Sequence, residues 1–171
     1  MKKKKWLLSA DHNACAEAMA GELGLSRLTA RVLAARGCDT PEKARDFMTQ
    51  SVEGIHDPFL LKDMDKAVAE IRRAIENKVK VAVYGDYDVD GVTATCIMIQ
   101  YLRKMGADCT YYIPDRLGEG YGLNVAAIQN LYDEGCRLLI TVDSGITAEE
   151  EAEYARKLGL KLIITDHNEC K

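Results

Sequence analysis

The sequence predicts an α/β fold, with a mostly parallel sheet flanked by helices and a small helical region ahead of it. Three observations predict it. Between Val79 and Thr165, short apolar runs alternate with longer segments of helical period. The runs are continuously apolar, as strands covered on both faces are, rather than alternating. Residues 1 to about 77 carry only helical patterns, interrupted at Gly37, Pro41, Gly54 and Pro58. The expected organisation is a helical region over 1–77 and an α/β domain over 78–171.

Each element has a local cause. Ser26 is placed to cap a helix running to Arg36, and Gly37 stands where a C-terminal glycine belongs. Thr40 followed by Pro41 opens a short helix to about Met48. Residues 51–61 have no period and are expected to form a loop. From Asp63 to Asn77, Met64, Ala67, Val68, Ile71, Ala74 and Ile75 make one apolar stripe of an amphipathic helix. Strands follow at 79–84, 109–113, 138–142 and 162–165, with helices at 92–105, 124–133 and 148–158 between them. Thr147 is the expected cap of the last helix, whose Glu149, Glu150 and Glu151 suit a positive helix end. An open sheet usually runs on past a fourth strand, so the fold is expected to be incomplete within these residues.

Composition narrows the classes. A net charge of −4 gives no global attraction to nucleic acid, so any such binding has to be local. No apolar run is long enough to span a bilayer, and Trp6-Leu7-Leu8 is too short for a signal-peptide core. The six cysteines include no C-x-x-C pair, and two, Cys96 and Cys109, fall in apolar segments. Buried, reduced thiols in a cytoplasmic protein are expected. Lys2 to Lys5 are expected to be solvated.

The chemistry gathers where the strands end. Parallel strands bring their carboxyl ends to one edge, where ligands bind. Asp86, Asp88 and Asp90 follow the first strand, Asp115 and Arg116 the second, Asp143 the third, and Asp166 with His167 the fourth. Crowded carboxylates repel unless they are solvated or share a cation. Oxygen ligands with one imidazole suit Mn²⁺ or Mg²⁺ better than structural zinc. The surplus of carboxylates suggests two ions, which stabilise the attacking and leaving oxygens of phosphoester hydrolysis. Asp88, Asp90, Asp143 and His167 are the expected ligands, with Asp86 and Asp166 as further ligands or supports.

A glycine-rich stretch, 115–124, offers backbone amides and the Arg116 fork to a phosphate, and Tyr121 could stack a base. It lacks the spacing and position of a dinucleotide-binding turn. His12, in a tripeptide that repeats Asp166-His167-Asn168, does not follow a strand and is expected to be a coincidental match, and His56 lies in a loop and is expected to be structural or solvated. No nucleophile–histidine pair can be placed; Ser144 sits in a turn-like context before Gly145.

These motifs resemble the DHH phosphoesterase superfamily. The resemblance runs through Tyr84-Gly85-Asp86-Tyr87-Asp88-Val89-Asp90-Gly91, Ile113-Pro114-Asp115-Arg116 with Gly118 to Asn124, Thr141-Val142-Asp143-Ser144-Gly145, and Thr165-Asp166-His167-Asn168. It implies a DHH-type catalytic domain, here incomplete, and a metal-dependent exonuclease degrading single-stranded DNA from the 5′ end in recombination and repair. It implies Mn²⁺ or Mg²⁺ at Asp88, Asp90, Asp143 and His167, with Asp86 in the same acidic motif. Single-stranded DNA is the implied partner, with repair proteins as further partners and no membrane. Arg116, Gly120, Tyr121 and Asn124 fall in the motif expected to hold nucleic-acid phosphate. Asn168 stands where the family carries its second histidine. Asn forms hydrogen bonds but carries no proton as an imidazolium does. With Asp86 and Asp166 it belongs to the expected catalytic set, and the 171-residue chain on its own is expected to show weak activity or none.

Three other readings compete: a relative cleaving cyclic dinucleotides or short oligonucleotides, a non-catalytic nucleic-acid-binding relative, and a phospho-acceptor receiver domain. The receiver reading leaves Asp166-His167 and the helical region unexplained.

Overall fold

The computed structural model describes residues 13–49, 54–116, 118, 120 and 122–169. Two compact units divide at Asp57/Pro58. The first contains α1 (Asn13–Leu23), α2 (Arg27–Ala35) and α3 (Pro41–Met48). Ala16, Met19, Ala30, Leu33, Ala34 and Ala44 form its small core. The caps are those the sequence predicts: Thr29 N–H donates to Ser26 Oγ at 3.1 Å, and Lys43 N–H to Thr40 Oγ1 at 3.3 Å.

The second unit opens with a single 3₁₀ turn, Pro58–Leu60, in the stretch expected to be loop. Then come α4 (Met64–Glu76), β1 (Val81–Tyr84), α5 (Val89–Lys104), β2 (Cys109–Tyr112), α6 (Val125–Asp133), β3 (Leu138–Val142), α7 (Glu149–Leu158) and β4 (Lys161–Thr165). Every strand pairing is parallel, in the order β2-β1-β3-β4. Successive β1 side chains point to opposite faces. Ala82 and Tyr84 join α6 and α7 residues Ala127, Ile128, Leu131 and Ala155 on one side. Val81 and Val83 join Ala74 of α4 and Ile99 and Leu102 of α5 on the other. Both faces are therefore covered, which is why the strands carry no polar alternation. The stripe of α4 packs against the sheet, so this helix belongs to the α/β unit although it precedes the change of pattern near residue 78.

Three local expectations are corrected. α5 begins at Val89, not Val92, because Asp88 caps it: Oδ1 accepts from Asp90 N–H at 3.0 Å and Gly91 N–H at 2.9 Å. α7 is capped by Ala148 with no side-chain bond, so Thr147 is not its cap. Cys96 is exposed and Cys109 half-buried, while the buried thiol is Cys136. Cys15, Cys38, Cys96, Cys109 and Cys136 are all reduced thiols; Cys170 lies outside the described residues. Tyr112 packs on Tyr84 with ring centroids 5.2 Å apart, whereas Tyr111 is exposed. Among the described residues, no helix is long and apolar enough to cross a membrane.

Candidate metal centre

The strand order makes β1 and β3 the place where the chain changes direction. The crossover after β1 leads to β2 on one side, and the next returns to β3 on the other. The loops there diverge and leave a crevice. Asp86 and Asp88 enter it from β1 and Asp143 from β3, with one carboxylate oxygen of each within 4.8 Å of the others.

Two glycines make the β1 loop this tight. A Cβ at Gly91 would stand 2.5 Å from Asp86 O and 2.6 Å from Asp86 N. A Cβ at Gly85 would collide with Thr95 Oγ1, which donates instead to Gly91 O at 2.7 Å. The first turn of α5 can therefore lie directly on the strand end. Asp86 is 2% exposed and its Oδ1 accepts Tyr87 N–H at 2.7 Å. Asp143 has φ of 60°, the left-handed region that Asp and Asn tolerate best among non-glycine residues. Its Oδ1 lies 2.9 Å from Nε2 of the exposed His167.

The electrostatics match this crowding. Burial, then the Asp88 charge, hold the Asp143 carboxyl above its ordinary pKa, and Asp90 adds to the rise while His167 opposes it. A cation relieves that penalty. Asp86 and Asp88 each keep one oxygen outside the hydrogen bonds just described. The donor set is hard oxygen with one imidazole, so the residues present fit Mn²⁺ or Mg²⁺.

The structure brings the expected site residues together unevenly. Asp86, assigned a lesser role from sequence, stands in the tight trio. Asp90 does not: on the first turn of α5 it lines a groove of about 880 Å³ with Asp143, Asp166 and His167. Met64, Val68, Ile97 and Tyr101 form the apolar part of that groove. Arg116 lies over the Tyr87 ring. Asn124 caps α6 by accepting Ala127 N–H at 2.7 Å, and its Nδ2 donates to Tyr84 Oη at 3.2 Å. Tyr84 Oη in turn donates to Gly122 O at 3.0 Å, so Asn124 acts on the glycine-rich loop through the fold. Gly120 is exposed with φ of 82°, and Tyr121 lies outside the described residues.

Asp166 ties two loops together. Its Oδ2 accepts Ile146 N–H at 2.9 Å, and its Oδ1 accepts from Asn168 N at 3.0 Å and Asn168 Nδ2 at 2.7 Å. Burial alone would raise its pKa, but these bonds and the His167 amide hold it below the ordinary value. A lowered pKa makes this carboxylate stabilising above its unfolded pKa, and that stabilisation is lost as pH falls through the folded value. Asp166→Ala leaves donors unpaired and is expected to cost about 1–3 kcal/mol in urea denaturation. It is also expected to weaken Mn²⁺ binding about tenfold or more, because Ile146 follows the Asp143 loop. Unchanged affinity in calorimetry would remove Asp166 from the site's support.

Residues 80–171 match the family described as "DHH family, N-terminal domain". The single-stranded-DNA-specific exonuclease RecJ of Bacillus subtilis is 42% identical over 167 residues, covering 98% of this chain and 21% of that protein. The chain thus spans about a fifth of the length of that curated relative. A crystal structure of exonuclease RecJ bound to manganese superposes with a TM-score of 0.61 at 37% identity, covering 65% of this chain and 29% of the other. RecJ from Thermus thermophilus, in complex with Mn²⁺, gives 0.63 at 26% identity, covering 92% and 22%.

Proposed function

The chain belongs to the DHH family, and from that membership we propose that it supplies the metal-holding part of a phosphodiesterase that degrades single-stranded DNA from the 5′ end. The observation that carries this reading is the trio Asp86, Asp88 and Asp143 at the switch point of the sheet. The RecJ relative acts on single-stranded DNA by name, and the two superposed structures hold manganese. Cytoplasmic DNA repair and recombination, with repair proteins as partners, is the setting this activity suits.

Asp86, Asp88 and Asp143 would hold two Mn²⁺ or Mg²⁺ ions, with His167 beside Asp143 and Asp90 on the groove side. Bound ions stabilise the attacking and leaving oxygens of an in-line displacement. The chain's own residues do the rest. Asp88 fixes its carboxylate by capping α5, so its other oxygen is aimed before any ion arrives. Asp166, held by Asn168, keeps the loops bearing Asp143 and His167 in register. Arg116 and the Gly120 backbone receive the phosphate. At the Asn168 position no proton is available to a leaving group, so its part is to orient Asp166.

Two measurements test the reading. Calorimetric titration of the chain should show Mn²⁺ binding that EDTA reverses. A chimera carrying this chain in place of the matching segment of the Bacillus subtilis relative should release nucleotides from the 5′ end of labelled single-stranded DNA with Mn²⁺, and none with EDTA. A chain that binds no Mn²⁺, or a folded chimera without metal-dependent cleavage, overturns it.

A further inference from the structure

We propose that Tyr87 is a positioning residue whose ring face holds the Arg116 guanidinium beside the carboxylate trio, with its hydrogen-bond donors available to a substrate phosphate. The proposal rests on the reading of Arg116 as a phosphate-holding group and extends it to the residue that stations it. Arg116 Cζ lies 5.4 Å from the Tyr87 ring centroid, within cation–π range. The two residues come from different strand ends. Tyr87 stands between Asp86 and Asp88 after β1, and Arg116 follows β2. β1 and β2 pair in parallel up to Tyr84 and Tyr112, so their loops leave the sheet side by side. The Tyr87 backbone is fixed to the site by its N–H bond to Asp86 Oδ1.

The kind of partner is informative. Arg27, Arg45, Arg73 and Arg156 each pair with a glutamate. Arg116, like Arg137 over Tyr132, meets a tyrosine ring instead, and no described carboxylate pairs with it although acids crowd the neighbouring loop. A carboxylate partner occupies the planar fork and neutralises the charge, and so competes with a phosphate. An aromatic face fixes the guanidinium while leaving its five N–H donors and its charge available. Tyr87 therefore supplies orientation without competition. The ring alone is needed for this, so Tyr87→Phe should preserve it.

The test follows Arg116 directly. Inorganic phosphate is titrated into the chain with Mg²⁺ present, and the Arg116 Nε–Hε resonance is followed by NMR. Phosphate should shift that resonance in the native chain and in Tyr87→Phe with similar affinity. Tyr87→Leu should weaken phosphate binding about three- to tenfold. Its Mg²⁺ affinity and melting temperature should stay near native, which a merely structural role would not allow. Adding Tyr87→Leu to Arg116→Ala should weaken binding no further. Tyr87→Met is a second non-aromatic variant should Leu disturb the fold. The proposal is overturned if phosphate leaves Arg116 unmoved in the native chain, if the non-aromatic variants bind like native, if Phe behaves like Leu, or if the two effects add. Loss of metal-dependent cleavage in the chimera would instead overturn the nuclease reading, whatever Arg116 does.

Discussion

Asp143→Asn removes tight Mn²⁺ binding and leaves the fold intact: calorimetry of the folded variant should show affinity lower by more than the ~10–100-fold that losing an outer support costs. Asn keeps the shape of Asp and tolerates the left-handed backbone at φ of 60°. Ala would add strain there and blur the result. The variant also carries a pH signature when EDTA is present. Burial and Asp88 raise the folded pKa of Asp143, so its charged form is disfavoured in the metal-free fold. Above that pKa the native protein bears the penalty and Asn does not, so Asn should melt higher at neutral pH. As pH falls toward the unfolded carboxyl value, both side chains become neutral and the difference should vanish. With Mn²⁺ present the order should invert, because the native chain then gains binding energy that Asn forgoes. An Asn variant with native Mn²⁺ affinity would sink the assignment of Asp143 to the metal centre.

Gly91→Ala is expected to cost about 3 kcal/mol, against the usual gain of about 1 kcal/mol for replacing a helical glycine. The added Cβ meets Asp86 O, Cβ and N at 2.5 to 2.6 Å, and two of these are backbone atoms that cannot swing aside. Either α5 lifts from the strand end or the Asp86 backbone moves, and both separate Asp86 from Asp88. Stability in urea and affinity for Mn²⁺ should therefore fall together. A more stable Gly91→Ala protein would mean that the contact between α5 and the β1 loop is not as described.

Most of the second unit is legible in the sequence because the central strands β1 and β3 are buried on both faces and each helix follows one stripe. The edge where the acids meet is legible too, since parallel strands leave no other place for residues that follow them. Membership of the DHH family sets aside the receiver-domain reading, which uses the same acids. What escapes lies within one turn of chain. Asp90 looks equivalent to Asp88 in a loop, but Asp88 starts a helix and turns Asp90 toward the groove. Asp88-Val89-Asp90-Gly91 is a workable N-cap signal, masked because three closely spaced aspartates suggest a loop. Asn124 announces a phosphate contact by its motif while its amide serves Ala127 and Tyr84. Such roles depend on a neighbour from another strand, and periodicity carries no record of that neighbour.

The position of β3 has a kinetic consequence. β1 meets β3 only after β2 and two helices have been bypassed in sequence, so this pairing closes the longest loop between neighbours in the sheet. Docking β3 also drives Asp143 against Asp86 and Asp88. The slowest closure is thus the one that gathers like charge. A divalent ion in the refolding buffer that is captured as the strands meet offsets that repulsion and quickens assembly. An ion that binds only the finished site leaves the folding rate alone and slows unfolding. Stopped-flow folding with and without Mg²⁺ therefore dates the moment at which the centre comes into being.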